Sequence, residues 1–405
     1  MSERHVQPTS GAIRAANRTA VVDVLRRHGA ATRAELCRRT GLSRATVSSL
    51  VADLQAHGLV SEQRASDDAY FGRPPAVITL DRSAGLAIAI DVGVRHVAVA
   101  VGDLSRRVLA ERWISLPHGH DSITGVATVL RCVDEAIAEA GAHRDQLVGA
   151  AISIAAPVAP HSGHLLVPGV LPGWDGRALA AAVEQRWDIP VAVENDANVG
   201  ALAESTWGES APGGLLYVKV ASRVGLGIVL GDSIHYGADG WAGEFGHTTA
   251  VPGGLLCWCG RRGCLEMYAG GEGMLRQLEV VGAPANDVAE IISRASDADP
   301  AVVGVVQAGV EALAAGLAAL ACVLNPAVIV LGGELTLLAD ELLLDPVRAA
   351  LASLPFGNPI PVRVSTLGDR ASLVGSLALV LSETRRFSDR SITAAQPDIT
   401  LAATS

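Results

Sequence analysis

The chain has almost no lysine, since Lys219 is the only lysine among its 32 basic side chains and the others are arginines. A preference for arginine over lysine can follow from the base composition of the genome, so we draw no functional conclusion from it. Cysteine is also scarce, and the 6 cysteines form no disulfide-like framework, which indicates a reducing compartment. The N-terminus has no apolar segment flanked by basic residues, and glycine, proline or charge interrupts the later apolar runs. We therefore predict a cytoplasmic protein without a membrane span.

Charge is distributed unevenly along the chain. The 405 residues are 49% hydrophobic and 18% charged, which allows two or three domains with sizeable cores. The net charge of −10 hides a basic head, because residues 1–75 hold eleven arginines against seven acidic residues and are net +4. The rest of the chain carries −14. A basic head on an acidic body predicts an anionic partner for the head alone.

Helical periodicity and capping residues predict a helix-turn-helix in this head. Apolar residues recur at helical spacing over residues 13–28. Thr32 then caps a short helix, a turn follows at 40–42, and Ser43 caps a longer helix over 43–57. Two helices joined by a tight glycine-containing turn are typical of DNA-binding proteins. A helical hairpin with a solvated arginine face has the same local pattern and stays open at this point.

A predicted wing favours DNA binding over the plain hairpin. Phe71-Gly72-Arg73-Pro74-Pro75 precedes an apolar, strand-like segment over 76–80, and Arg73 is held between glycine and proline. Arginine on such an extended scaffold suits a narrow minor groove, and small hydrogen-bonding side chains early on the second helix suit a major groove. The predicted DNA-binding residues are Arg33, Ser43, Arg44, Thr46, Ser48, Ser49 and Arg73.

A metal-binding loop is predicted between residues 247 and 266. His247, Cys257, Cys259 and Cys264 lie within eighteen residues, and they make up a complete ligand set for tetrahedral zinc. Four protein ligands are typical of a structural site, so we expect the metal to shape a pocket and to do no chemistry. The alternative is that the three thiols are small buried hydrophobic groups.

The body carries several motifs in a fixed order. Two apolar strands surround Asp91-Val92-Gly93, and strand and helix patterns then alternate to about residue 383. The motifs that follow are Glu194-Asn195-Asp196-Ala197-Asn198, Gly243-Glu244-Phe245-Gly246-His247, the cysteine cluster, and Asn325-Pro326 through Gly332-Gly333. Together they resemble the ROK family of repressors, open reading frames and kinases, over residues 13–385. The resemblance implies an α/β fold with an N-terminal winged helix-turn-helix and a two-lobed, actin-like sugar-kinase (ribonuclease H-like) body containing a structural zinc loop.

The resemblance also implies a sugar site. Asn195, Asp196, Glu244, His247 and Glu266 occupy the positions that contact the hydroxyls of a hexose or amino sugar in the family. Asp196 stands at the position of the kinase general base, although a carboxylate that only binds a hydroxyl has the same sequence pattern. Val170 replaces the asparagine that often precedes the Leu-Pro-Gly-Trp segment. Trp174 in that segment either packs in the core or stacks on a sugar.

Both phosphate-binding loops depart from the kinase pattern. Family kinases resemble Asp-x-Gly-Gly-Thr-Lys at the first loop, whereas Gly93 is followed here by Val94, Arg95 and His96. The second loop, which is similar to Gly-Thr-Gly in kinases, reads Ala221-Ser222-Arg223. Glycine leaves room for phosphate oxygens to approach the backbone, so its loss disfavours ATP binding. We therefore predict no catalytic residues and no enzyme activity.

These observations predict a domain order. Residues 1–12 form a flexible N-terminus, and 13–82 the winged helix-turn-helix. Residues 83–195 form the first lobe, which a C-terminal helix over 371–387 completes. Residues 196–370 form the second lobe with the zinc loop and sugar site, and 388–405 a disordered tail.

The leading hypothesis is a sugar-responsive transcriptional regulator, in particular a repressor, with a catalytically inactive sugar-kinase body as its sensor. Its partners would be double-stranded operator DNA, a sugar or sugar phosphate, and copies of itself in a homodimer or dimer of dimers. One alternative is an active hexose or amino-sugar kinase that carries a DNA-binding head. Another is a DNA-binding scaffold with an empty pocket, regulated by another protein.

Overall fold

A computed structural model describes residues 10–56, 59–64, 76–81, 85–105, 107–117, 122–160, 162–167, 170–171, 173–208, 213–231, 233–355 and 359–381. The predicted wing tip with Arg73 and the predicted tail over 388–405 lie outside these ranges. The first helix begins at Ser10, inside the segment predicted to be flexible. The helix therefore starts before the predicted boundary at residue 13, and the predicted domain bounds stay predictions.

The head is a winged helix-turn-helix, as predicted. Its elements are α1 (Ser10–His28), β1 (Ala30–Thr32), α2 (Arg33–Thr40), α3 (Arg44–Ala56), β2 (Val60–Arg64) and β3 (Ala76–Leu80). Thr32 and Glu35 form a reciprocal capping box at the start of α2, and Gly41 ends that helix in a left-handed conformation with φ of 72°. The strands form an antiparallel sheet in the order β1-β3-β2. Apolar side chains of all three helices and this sheet share one small core.

The first lobe is a mixed sheet flanked by helices. It contains β4 (Leu86–Val92), β5 (His96–Asp103), β6 (Val108–Ser115), α4 (Ser122–Glu139), β7 (Leu147–Ile154), α5 (Gly176–Trp187) and β8 (Val191–Asn195). The strand order is β6-β5-β4-β7-β8, in which β4, β7 and β8 are parallel. Every residue of β4 is buried because the sheet is covered on both faces. The sequence pattern did not reveal β6, whose burial alternates irregularly.

The second lobe repeats the layered plan. It contains α6 (Asp196–Trp207), β9 (Leu215–Val220), β10 (Val224–Leu230), β11 (Ser233–Ile234), α7 (Glu266–Ala269), α8 (Gly271–Val280), α9 (Val288–Ser296), α10 (Pro300–Leu324), β12 (Val328–Gly332), α11 (Leu344–Ala352) and β13 (Val362–Val364). Its strand order is β11-β10-β9-β12-β13. A final helix, α12, covers 371–381.

The helix α10 corrects the expectation that no apolar run reaches membrane-spanning length. Among the described residues it is the one helix long and apolar enough to pass that test by length and composition. Its three glycines and Glu311 do not lower the mean hydropathy enough to break the run. Val306, Leu313 and Leu317 are fully buried in the core of the second lobe, so α10 has the contacts of a core helix.

Candidate functional site

A cavity lies between the two lobes, and all five predicted sugar-binding residues line it. These residues are Asn195, Asp196, Glu244, His247 and Glu266. Residues 93–96 and 155–158 of the first lobe form one wall, and residues 221–226 with the 240–247 segment form the other. A cleft between lobes with several convergent polar groups is a typical small-molecule site. The structure therefore brings the predicted set together, while the role of each residue stays a prediction.

Asn195 and Asp196 are positioned by the junction between β8 and α6. The Asn195 Oδ1 atom caps α6 by accepting from the backbone N–H groups of Ala197 at 2.9 Å and Asn198 at 3.2 Å. Its Nδ2 atom donates to the Ala156 carbonyl at 3.0 Å. An amide has two N–H donors, so one remains for a ligand. The Asp196 carboxylate is 8% exposed and sits at the edge of the cavity.

Lys219 forms an ion pair with the carboxylate of Asp196, the predicted kinase-base residue. Its Nζ atom donates to Asp196 Oδ2 over 2.8 Å and lies 3.4 Å from the Ser372 hydroxyl. Burial works to lower the pKa of Lys219, but the carboxylates of Asp196 and Asp91 outweigh it and raise that pKa, so the ammonium stays charged. Sequence reasoning noted this single lysine without giving it a role, because only the fold places β9 beside α6.

The other wall of the cavity carries the carboxylates of Glu244 and Glu266 and the indole of Trp258. Glu266 is 5% exposed and accepts a hydrogen bond from Trp258 Nε1. The Trp258 ring meets the His247 ring edge-on at 4.6 Å between centroids. Burial, and then the charges of Glu266 and Asp196, raise the pKa of Glu244 to about 7. Sequence reasoning missed Trp258, although its place between two of the cysteines was a usable signal.

The four predicted metal ligands converge on one point. Their ligand atoms all lie within 4.8 Å of one another. Cys257 Sγ is 3.6 Å from His247 Nδ1, and Cys259 Sγ is 3.6 Å from Cys264 Sγ. A tetrahedral zinc site with Zn–S bonds of about 2.3 Å has a sulfur–sulfur edge of about 3.8 Å, so the arrangement fits a metal ion. His247 uses Nδ1 here, while its Nε2 atom lies 3.9 Å from Glu244 and faces the cavity side.

Glycines allow the tight bends of this loop. Gly260 and Gly263 have φ of 84° and 76°, which L-residues rarely adopt. A Cβ atom at Gly263 would lie 1.7 Å from the Val251 carbonyl oxygen, so that position admits only glycine. The close spacing of Cys257 and Cys259 is thereby compatible with both sulfurs facing one ion.

The head presents the predicted recognition surface on α3. Ser43, Arg44, Ser48 and Ser49 are exposed, and Thr46 is half-buried with its backbone N–H donating to Ser43 Oγ at 3.2 Å. Arg33 instead forms a two-point ion pair with Glu62 of β2. That pair engages two of the five guanidinium N–H groups of Arg33.

Comparison with known proteins decides the family. A profile of the ROK family matches residues 87–383. The chain belongs to the ROK family. A profile of the MarR family matches residues 16–69, which is most of the winged-helix head.

Both regulators and kinases are found among the similar ROK proteins. The xylose repressor of Bacillus subtilis strain 168 is 28% identical over 249 residues, covering 61% of this chain and 64% of the relative. The aligned part therefore spans less than two thirds of that relative. A crystal structure of a ROK family transcriptional regulator, described as a homolog of the E. coli MLC protein, covers 91% of this chain and 96% of its own at 23% identity and a TM-score of 0.76, which shows the fold.

A solved kinase structure is similar to the body of this chain without the head. The ROK family glucokinase of Streptomyces griseus, in complex with glucose and AMPPNP, is 29% identical with a TM-score of 0.62. It covers 73% of this chain and 99% of its own. Family membership therefore does not separate a sensor from a kinase, and the loops of this ROK chain bear on that question.

At the first loop, a side chain fills the space beside the remaining glycine. His96 Nε2 lies 2.8 Å from Asp91 Oδ2, and the His96 ring stacks on Trp113 with 4.2 Å between centroids. A Cβ atom at Gly93 would lie 2.2 Å from the His96 ring. Burial would raise the pKa of Asp91, but the bonds and charge of His96 and the charge of Lys219 hold it below its ordinary value. The His96 ring therefore packs against Gly93 in a loop that lines the cavity.

At the second loop, Arg223 bridges the lobes. Its Nη2 atom donates to the Val170 carbonyl at 3.2 Å, and its guanidinium carbon lies 5.5 Å from the centre of the Trp258 ring. The resemblance to family kinases predicts a glycine at this position. Val170 lines the cavity, whereas Trp174 is 4% exposed and packs in the core of the first lobe against Gly125. Core packing is thus the correct alternative for Trp174.

Proposed function

We propose that this ROK protein is a sugar-responsive, DNA-binding transcriptional repressor. One observation carries the proposal: the same chain contains an exposed recognition helix and a polar cavity between the lobes. In that cavity, Lys219 is paired with Asp196 at 2.8 Å. The relative named a xylose repressor and the regulator-like fold support it. Such a protein acts in the cytoplasm, where DNA and metabolites are both present.

The cavity has the chemistry to bind a sugar. Carboxylates of Asp196, Glu244 and Glu266 are acceptors for sugar hydroxyls, while the remaining Asn195 N–H and the His247 Nε2 atom can complete the set. In this proposal Arg44, Ser48 and Ser49 meet base edges and phosphates. Arg73 enters the minor groove, with Arg33, Ser43 and Thr46 beside the recognition helix.

We further propose that His247, Cys257, Cys259 and Cys264 hold a structural zinc ion. A zinc ion bound there would tie the segment with Glu244 to the segment with Glu266, since ligands come from both sides. Four protein ligands leave no open position, so the proposed metal organises the cavity wall and activates no water.

The same cavity argues against sugar phosphorylation. A general base must take the proton of the attacking hydroxyl, but the carboxylate of Asp196 already accepts from the Lys219 ammonium. His96 occupies the space next to Gly93, and Arg223 replaces a glycine in the second loop. We therefore propose that Asp196 binds a sugar hydroxyl and that no phosphoryl transfer follows.

A thermal-shift screen tests the effector. Zinc-loaded protein would be measured with D-xylose, D-glucose, N-acetylglucosamine, glucosamine and their phosphates, each with and without ATP. We expect one sugar to raise the melting temperature, with no further rise from ATP. If no compound in this panel stabilises the protein, the scaffold hypothesis, in which another protein is the regulator, is favoured instead.

The kinase is the second candidate, because Asp196 keeps the position of the base and the glucokinase structure is similar to the body. Its test is sugar-dependent ADP release. Activity that disappears in Asp196→Asn would establish a kinase and contradict the proposal.

Operator DNA would be obtained by selection from a random-sequence pool, and loss of operator binding on addition of sugar would support repression.

A further inference from the structure

The helix α12 is buried at every residue that the structure describes. All residues over 371–381 are buried, including Ser372, which is 1% exposed, and Ser376, which is fully buried. A helix that is apolar on every face has neighbours on every side. Its first residue, Ala371, packs in a cluster of the second lobe with Tyr217, whereas Leu373 and Leu377 pack in a cluster that joins strands of the first lobe to α6. The helix therefore passes from one lobe to the other.

Its first turn touches the proposed sugar site. The Ser372 hydroxyl donates to the backbone carbonyl of Asp196 at 3.1 Å. The ammonium of Lys219 lies 3.4 Å from the Ser372 hydroxyl and 2.8 Å from the Asp196 carboxylate. One lysine thus contacts both a cavity-lining carboxylate and the start of α12. A ligand hydroxyl that binds Asp196 must share that carboxylate with Lys219.

The middle of α12 has no room to slide independently of its neighbours. A Cβ atom at Gly375 would lie 1.9 Å from the Val199 carbonyl oxygen of α6, so the two helix backbones are in close contact. Leu377 packs over Gly102 of β5, at 2.9 Å from the position of a Cβ atom there. Closely packed interiors transmit a displacement of one element to the elements in contact with it.

The far end of α12 reaches the cluster that contacts the DNA-binding head. Leu381, Leu377 and Leu104 belong to one apolar cluster of the first lobe, and Leu59 of the head packs against that cluster. Leu59 also packs against the core of the head. Leu59 is therefore shared by the two cores.

Leu59 is fixed to the recognition helix by its backbone. Its N–H donates to the Leu54 carbonyl near the end of α3 at 2.9 Å, and its carbonyl accepts from Asp81 after β3 at 3.0 Å. A displacement at Leu59 must therefore move the end of α3, the sheet of the head, or both.

We propose that Lys219 is a positioning residue that couples the cavity to the recognition helix through Ser372, α12 and Leu59. This inference rests on the proposed function and adds the route by which sugar alters DNA binding. A sugar hydroxyl at Asp196 redistributes the hydrogen bonds of the Lys219 ammonium, which changes its contact with Ser372. The start of α12 then shifts, and the shared cluster at Leu59 carries that shift to the recognition helix.

The test measures coupling, which is the ratio of the operator dissociation constants with and without sugar. Full-length, zinc-loaded protein would be titrated with selected operator DNA in buffer and, separately, in saturating D-xylose, D-glucose, N-acetylglucosamine, glucosamine and each of their phosphates. We expect Ser372→Ala to keep operator and sugar affinities near those of the unmodified protein and to lower the coupling ratio by roughly 2- to 30-fold. Ser376→Ala is the matched control, since its buried hydroxyl donates to the Ser372 carbonyl within the helix and lies one turn from the cavity contacts.

Substitutions at Leu59 and at Lys219 test the two ends of the route. Leu59→Ala should lower coupling, whereas Val24→Ala, which packs against the head core, should not. Lys219→Met should abolish coupling and Lys219→Arg should restore part of it. If the latter pair does not fold, Ser372→Ala and Leu59→Ala still decide the question.

The outcomes separate the two proposals. Sugar that leaves operator affinity of the unmodified protein unchanged overturns the proposed function. Sugar that releases the unmodified protein, Ser372→Ala and Leu59→Ala equally overturns the route through α12. The route through α12 is also overturned if Ser376→Ala loses as much coupling as Ser372→Ala. The contacts of the Ser372 hydroxyl with Asp196 and Lys219 would then not be what couples the cavity to the head.

Discussion

Neighbouring residues fix the orientation of the carboxylates that line the cavity. Glu266 is buried and receives the Trp258 indole N–H, so its carboxylate is held in one orientation with lone pairs left over. Asp196 is fixed by the Lys219 ammonium on one oxygen and by the Ala197 backbone N–H, at 2.8 Å, on the other. Fixed acceptors lose little freedom on binding a ligand, which favours recognition of sugar hydroxyls.

We expect Glu266→Gln to weaken binding of the stabilising sugar. The substitution removes the charge from a buried acceptor, and hydrogen bonds to charged groups contribute about 1.5–3 kcal/mol, or roughly 10- to 150-fold in affinity. Isothermal titration calorimetry would measure the change. Glu279→Gln, on the exposed end of α8, is the control. Equal affinity in Glu266→Gln and the unmodified protein would remove Glu266 from the site.

At the scale of elements, the loop between residues 247 and 266 brings four potential ligand atoms together. Cys257 and Cys264 are buried while Cys259 and His247 are half-buried, and the surrounding segment has little regular structure. Short loops of this kind gain much of their stability from the bound metal.

Cys259→Ser should therefore lose zinc and sugar binding together. Serine is a poor zinc ligand, and the remaining three ligands would no longer fix the positions of Glu244 and Glu266. Metal content by plasma mass spectrometry and sugar affinity by calorimetry would check this. Cys322→Ser, at an exposed cysteine of α10, should keep both. Normal sugar binding in a zinc-free Cys259→Ser protein would falsify the link between metal and cavity.

The proposed recognition helix, α3, is the second element with a proposed role, which is DNA binding. Arg44 is exposed at the start of α3, whose inner face is anchored by Val47, Leu50 and Leu54. Substitution there removes a charge without disturbing the core of the head.

Arg44→Ala should lower operator affinity and reduce the slope of log affinity against log salt by about 1, since one cationic contact to DNA is lost. Fluorescence anisotropy at several salt concentrations would measure both quantities. Arg276→Ala, at an exposed position of α8, serves as the control. An unchanged salt slope in Arg44→Ala would show that this side chain stays away from the phosphates.

For the whole molecule, the two-lobed body and the head are parts of one thermodynamic system. Coupling between two ligands is reciprocal, so operator DNA must lower sugar affinity by the same factor by which sugar lowers operator affinity. A repressor that reads two half-sites also needs a symmetric oligomer, because the spacing of its heads must match the DNA.

Reciprocity gives a quantitative prediction. We expect sugar titrations with and without saturating operator to give a ratio of dissociation constants equal to that of the converse experiment, typically about 5- to 150-fold. Light scattering of the free protein should give a dimer or a dimer of dimers. A sugar affinity that is independent of operator, in a protein whose operator binding responds to sugar, would indicate an indirect effect.

The sequence determined the local elements of this protein, because caps and periodicity act over short distances. Thr32 and Ser43 marked the starts of α2 and α3, and alternating apolar residues located β4 and β5. Residue type and spacing singled out the four metal-ligand candidates, whereas the five sugar-site candidates followed only from the resemblance to the ROK family, and the roles of both sets stay predictions. The short strands β11 and β13 were missed, because a few residues carry too little pattern.

Only the tertiary structure decided which of these residues act on one another. Lys219 lies 23 residues from Asp196, and Ser372 lies 176 residues from Asp196, so no local pattern could link them. Packing of β9, α6 and α12 places the ammonium, carboxylate and hydroxyl together. The pairing of Arg33 with Glu62, the His96 ring over Gly93 and the shared position of Leu59 have the same origin. These contacts depend on burial and close approach, which the chain acquires only on folding.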